Sequence, residues 1–131
     1  MGRLHLLLVE DDNDSREVLA RLLRLSGYEV HPAANAEDAI AVAAQRRCDV
    51  IVSDLGLPDR SGIELMREIR AMHGSEGIAL TGRAQADGGN WRAAGFSNYL
   101  EKPVDLQLLR ATIERVASRA RRSGNRKSLA C

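Results

Sequence analysis

Short apolar runs alternate with helix-like stretches five times along this chain, and that alternation leaves few folds open. Residues 4–9 are almost continuously apolar, as expected of a strand covered on both faces. Residues 28–31 read as a second strand closed by Pro32, and residues 48–53 (CDVIVS) as a third, fully buried one. Residues 78–81 and 98–100 supply the fourth and fifth. Between the first two runs, Val18, Leu19, Leu22, Leu23 and Leu25 recur at helical spacing, with Asn13 or Asp14 as cap and Gly27 as stop. Asn35 caps a second helix, with Asp38 in its first turn and Ala36, Ala39, Ile40 and Ala43 along one side. Ser61 opens a third, carrying Ile63, Leu65, Met66, Ile69 and Met72. Asp105 caps a last helix through Leu108, Leu109, Ile113 and Val116. Residues 84–94 are the weak stretch, because Gly88 and Gly89 each cost about 1 kcal/mol against Ala in a helix interior. A short, late-starting or mobile helix is expected there.

Strictly alternating β and α elements call for a doubly wound α/β fold, a parallel five-stranded sheet between two layers of helices. A chain of 131 residues makes one such domain, placed at residues 1–120, with residues 121–131 left as a basic tail or linker. Five of the 19 basic residues lie at positions 119–127 without an acid, leaving 14 basic against 18 acidic residues before them. The body is therefore mildly acidic, and the tail reads as a solvated helix end and linker rather than a nucleic-acid grip. Aromatic residues make up 3%, too few for a base-stacking platform. No apolar run approaches the ~20 residues of a membrane span. Cys48 and Cys131 form no disulfide framework or metal-ligand pattern, so a reducing cytosol is the simplest setting. Cys48 reads as a small buried hydrophobe. Trp91 reads as packing, and His5, His31 and His73, which share no spacing, as structural or surface residues.

In open parallel sheets, ligands bind outside the carboxyl ends of the strands. Here strand one ends in Glu10, Asp11 and Asp12, strand three in Asp54 and strand four in Thr81, while Lys102 and Pro103 follow strand five. Carboxylates converging on one rim repel one another, and a hard divalent cation relieves that repulsion. A carboxylate nucleophile, a bound cation, a hydroxyl and a lysine together make a phosphoryl-acceptor site.

Four motifs in order resemble one family, the receiver domain of two-component response regulators: VEDD at residues 9–12, VSDLGLPDRSG at 52–62, ALTG at 79–82 and YLEKP at 99–103. The resemblance spans about residues 4–117 and implies a flavodoxin-like (βα)5 three-layer sandwich with strand order 2-1-3-4-5. It implies that Asp54 accepts a phosphoryl group from a phosphohistidine on a sensor histidine kinase or histidine phosphotransfer protein. It also implies a magnesium ion, Mg2+, ligated by Asp11, by the backbone carbonyl of Gly56 and by Asp54, with Glu10 contributing weakly or through water. Lys102 would pair with Asp54 at rest and with the phosphoryl group afterwards; Thr81 would swing to that group, and Tyr99 would change rotamer with it. The Lys102–Pro103 bond resembles the family's cis-proline turn.

The three consecutive acids permit two registers. Glu10 with Asp11 is the expected pair, because it sets Arg16 at the family's arginine position; Asp11 with Asp12 is the alternative. Gly56 and Arg83 occupy positions where receivers tune water access to the phosphoryl group. The wording of the motifs looks most like receivers associated with hybrid sensor kinases. The expected function is thus a cytoplasmic switch or relay that turns over no substrate, as a monomer or weak dimer. The Gly88–Gly89 pair counts against a dimer built through helix four, strand five and helix five. Two alternatives remain: an aspartate-nucleophile phosphatase, which would need a second Asp where Gly56 stands, and a fragment of a DNA-binding response regulator.

Overall fold

A computed structural model describes residues 2–82 and 91–130, with side chains described to residue 119. Its elements are β1 His5–Val9, α1 Asn13–Leu25, β2 Glu29–Ala33, α2 Ala36–Gln45, β3 Val50–Asp54, α3 Gly62–His73, β4 Glu76–Thr81, α4 Trp91–Ala94, β5 Phe96–Glu101 and α5 Leu106–Ala130. All strand pairings are parallel, and the sheet order is β2-β1-β3-β4-β5. The parallel pairing follows from the alternation of the sequence, since each crossover must carry a helix, and the order is the one the family resemblance implies.

The period-two geometry of a strand divides the core into two layers. Leu6 and Leu8 of β1, Val50 and Val52 of β3, and Ile78 and Leu80 of β4 face α1 and α5, packing with Leu23, Leu109, Ile113 and Val116. Leu7, Val9, Ile51 and Ala79 point the other way, onto Ala36, Ala39, Leu65, Met66, Ile69, Trp91 and Phe96. Every residue of β3 is buried, as a central strand covered on both faces requires.

Several boundaries differ from the sequence reading. Asp12, not Asn13 or Asp14, caps α1, its carboxylate accepting the Ser15 N–H at 2.9 Å. Asn13 lies inside the helix, where its side chain accepts from Arg16. Pro32 lies within β2 rather than after it; β2 is an edge strand, where a missing N–H is tolerated. Of the apolar stripe on α1, Val18, Leu22 and Leu25 are exposed, as are Met72 and Leu108 of the later helices. The last helix extends to Ala130, so the basic segment after residue 120 continues α5. Of the stretch expected to hold a short helix, α4 is helical, whereas the Gly88–Gly89 pair and Arg83 lie outside the described residues.

Other local signals match. Asn35 accepts the Asp38 N–H at 2.8 Å and Ser61 accepts the Glu64 N–H at 3.1 Å, as N-caps. Gly27, at φ 103°, ends α1 in a Schellman arrangement: its N–H bonds Arg24 O and the Tyr28 N–H bonds Leu23 O.

Candidate functional site

The rim is built by backbone hydrogen bonds that continue the sheet past its strands. Glu10 N–H donates to Ala33 O at 3.1 Å, Leu55 N–H to Leu80 O at 3.2 Å, and Lys102 N–H to Thr81 O at 2.9 Å. The residues just beyond β1, β3 and β5 are therefore held in register with one another. They bring Glu10, Asp11 and Asp54 together, with one carboxylate oxygen of each lying within 4.8 Å of the others. Glu10 and Asp54 are each 3% exposed, whereas Asp11 is open to solvent. Lys102 reaches over from its turn: Nζ lies 2.9 Å from Glu10 Oε1 and 2.5 Å from Asp54 Oδ1. Although that close to the ammonium, the buried Asp54 Oδ1 accepts no well-aligned hydrogen bond among the described residues. The peptide bond between Lys102 and Pro103 is cis.

Asp12 is drawn away from this cluster. Its carboxylate caps α1, while its backbone N–H donates to Glu10 Oε2 at 3.0 Å. Arg16, one turn into α1, donates to the carbonyls of Glu10 at 2.9 Å and Asp11 at 3.5 Å, and to Asn13 Oδ1 at 2.6 Å. It clamps the acidic turn from behind and leaves the carboxylates facing the rim.

The electrostatics follow from crowding under burial. Burial first, and Glu10 second, push the Asp54 carboxyl up to about 7 against the opposing pull of Lys102. Glu10 goes the other way: burial raises it, but hydrogen bonds from Asp54, the Asp12 backbone and Lys102 together hold it below the usual range. For Lys102, burial is outweighed by both carboxylates, and its ammonium is held more tightly than usual. Among the described residues, three carboxylates against one ammonium leave the site with negative charge to be relieved, and its donors are all hard oxygens. With a buried, poorly satisfied Asp54 oxygen at the centre, the arrangement fits a divalent cation such as Mg2+.

Thr81, 1% exposed at the end of β4, turns its hydroxyl to Gly82 O at 2.8 Å. Tyr99 is no core aromatic: it is 38% exposed and its ring lies tilted against Trp91, centroids 5.1 Å apart. Gly56 stands in the loop after β3, bridged to Ser61.

Two residues that support the rim carry no obvious signal in the sequence. Asp59 accepts the N–H groups of Ala36 and Glu37, both at 2.9 Å, and so ties the loop after β3 to the start of α2. Such a cap is invisible locally because its helix lies 22 residues upstream. Gly62 donates to Leu55 O at 2.7 Å, and a Cβ there would collide with the Asp54 carbonyl oxygen. A glycine immediately after an N-cap serine was the available clue. The histidines lie elsewhere. His5, at the start of β1, and His31, midway along β2, are brought together, Nδ1 to Nε2 at 3.1 Å, and His73 hydrogen-bonds Ala43 O at 2.7 Å.

Comparison with known proteins agrees with this fold. The family model described as response regulator receiver domain matches residues 6–114. An uncharacterized 14.6 kDa protein of Leptolyngbya boryana is 35% identical over 84% of this chain and 88% of its own length. The KDP operon transcriptional regulatory protein KdpE of Escherichia coli is 36% identical over 88% of this chain but only 51% of its own length. The chain thus spans about half the length of that relative. A crystal structure of a CheY-like response regulator receiver domain protein from Methanospirillum hungatei superposes with a TM-score of 0.87 at 27% identity, over 93% of this chain and 99% of that one. The chain belongs to the response regulator receiver domain family, the phosphoryl-accepting module of two-component signal transduction.

Proposed function

We propose that Asp54 is the phosphoacceptor of this receiver. The observation that carries the reading is the ion pair between Lys102 and a buried Asp54 whose Oδ1 lacks an aligned hydrogen bond. A carboxylate held in this way is shielded from water, with its charge paired to Lys102. One Asp54 oxygen attacks the phosphorus of a phosphohistidine; the P–O bond forms as the P–N bond breaks, and the imidazole leaves with the electron pair. Lys102 then exchanges its contact with Asp54 for one with a phosphoryl oxygen, and the Thr81 hydroxyl binds another. Tyr99, with its ring at the surface, changes rotamer as Thr81 moves. Catalysis of this step is positioning and charge neutralisation, and the chain turns over nothing beyond its own phosphorylation and dephosphorylation.

Mg2+ would be held by Asp11, Asp54 and the Gly56 carbonyl, with Glu10 contributing weakly or through water. When bound, it supplies the charge that offsets repulsion between the carboxylates and an incoming phosphoryl group.

The phosphohistidine is carried by a sensor histidine kinase or histidine phosphotransfer protein. Beside Lys102 and Glu10 lies a groove of about 540 Å3 lined by Val18, Leu19, Leu22, Val104 and Leu106. An apolar partner helix seated there would set its histidine next to the acceptor. This reading places the chain in the cytoplasm; among the described residues no helix is long and apolar enough to cross a membrane.

Incubation with Mg2+ and acetyl phosphate should add one acid-labile phosphoryl group, and Asp54→Asn should abolish it with the fold intact. Undiminished labelling of that variant would overturn the assignment.

A further inference from the structure

We propose that the end of the sheet opposite the acidic rim holds an anion site for the phosphate group of a phosphate monoester. The proposal rests on the fold and not on the phosphoacceptor reading. A depression of about 330 Å3 opens where β4 and β5 begin, and Arg70 of α3, Arg92 of α4 and Arg119 of α5 line it. Three guanidinium groups thus reach one hollow from three separate helices.

Among the described residues, the only carboxylate lining it is Glu76, and that group is already engaged. Its Oε2 accepts the Ser97 hydroxyl at 2.5 Å and lies 3.9 Å from Arg70 Nη1. Arg70 also donates to Gly95 O at 3.3 Å. The Arg92 guanidinium sits over the Trp91 ring, 4.9 Å from its centroid. Among the described residues neither Arg92 nor Arg119 has a carboxylate partner. A scatter of solvated surface arginines would show no such convergence, and Arg70 and Arg92 have already lost much of their side-chain freedom to neighbouring groups. Less ordering is then left for a ligand to impose.

Charge selects the ligand class. Three guanidiniums against one carboxylate leave an excess of two positive charges, and a phosphate monoester carries about 1.5 to 2 negative charges near neutral pH. Arginine forks also match phosphate oxygens in pairs, which a lysine cannot do. A single carboxylate would neutralise only half of the excess.

Trp91 is the chain's one tryptophan, and Arg92 covers it, so its fluorescence reports on this site. Glycerol 2-phosphate titrated without Mg2+ at constant ionic strength should give a saturable fluorescence change, with half-saturation on the order of 1 mM. Arg119→Gln, which does not touch the reporter, should weaken binding about fivefold or more, and so should Arg92→Gln. Arg115→Gln, on an exposed part of the same helix, should leave it unchanged. Lys102→Gln should also keep the response, which separates this site from binding at the acidic rim. Circular dichroism of each variant verifies the fold. The proposal is overturned by no saturable change below about 20 mM, by a response lost in Lys102→Gln but kept in Arg119→Gln, or by succinate, of similar charge, competing as well as glycerol 2-phosphate.

Discussion

Gly62 packs so tightly against Asp54 that a single methyl group at position 62 would strike the Asp54 carbonyl oxygen. The backbone of the candidate acceptor is thus braced by the first turn of α3. Gly62→Ala should destabilise the domain by about 1–3 kcal/mol in urea titrations, as overpacking of a close contact does. It should also slow phosphorylation by acetyl phosphate at least tenfold, since small displacements of a reacting group carry large rate costs. Stability and labelling both at wild-type level would show that the loop yields freely.

Asp54 lowers stability where it is charged. Its unfolded carboxyl titrates near 3.8 and its folded one near 7, so the native state holds this proton more tightly than the unfolded state. The contribution is fully present below 3.8 and is lost as pH rises through about 7. Asp54→Asn has no such loss. Without Mg2+, the variant should therefore become progressively more stable than wild type between pH 4 and pH 8, by on the order of 2 kcal/mol at the upper end. Added Mg2+ should narrow the gap by binding to wild type. A gap that stays constant across this range would contradict the buried, crowded setting of Asp54.

The two registers of the acidic run separate cleanly in variants. Asp12 spends its carboxylate on the Ser15 N–H, while Asp11 lies in the carboxylate cluster. Asp12→Ala should lower the melting temperature through loss of the cap yet keep the upward shift produced by Mg2+. Asp11→Ala should leave the metal-free melting temperature nearly unchanged and lose that shift. The reverse pattern would assign the metal to the Asp11–Asp12 pair.

Gly56 has no side chain with which to orient a water molecule toward a phosphorylated Asp54. One such contact is worth about 1–2 kcal/mol, or roughly 5- to 30-fold in rate. The phosphorylated form should therefore persist for minutes or longer, and Gly56→Asn should shorten its life. Decay followed by loss of label tests this: wild-type decay within seconds, or a variant no faster than wild type, rules it out.

Among the residues whose side chains are described, the last core positions of α5 are Val116 and Ala117, and no helical apolar spacing continues beyond Ala120 in the sequence. Deleting residues 122–131 should then shift the melting temperature by less than about 2 °C and leave phosphorylation unchanged. A larger loss would show that the end of this helix contributes to the fold.

The sequence by itself determined whatever depends on near neighbours along the chain. Alternating apolar runs and helical spacings specified the parallel sheet, because each crossover needs its helix. Asn35, Ser61 and Gly27 marked helix ends because capping bonds reach only three to five residues. The rim was legible too, since acids and a lysine directly after apolar strands must emerge on one side of a parallel sheet. Only the tertiary structure decided which apolar side chains are covered. Leu23 is buried and Val18, Leu22 and Leu25 are exposed, because the sheet and α5 meet only one side of α1. It also decided the partners of Asp59, the closeness of Gly62 to Asp54 and the meeting of His5 with His31. Each joins residues on different elements, and such distances are set by how the layers pack rather than by any spacing along the chain.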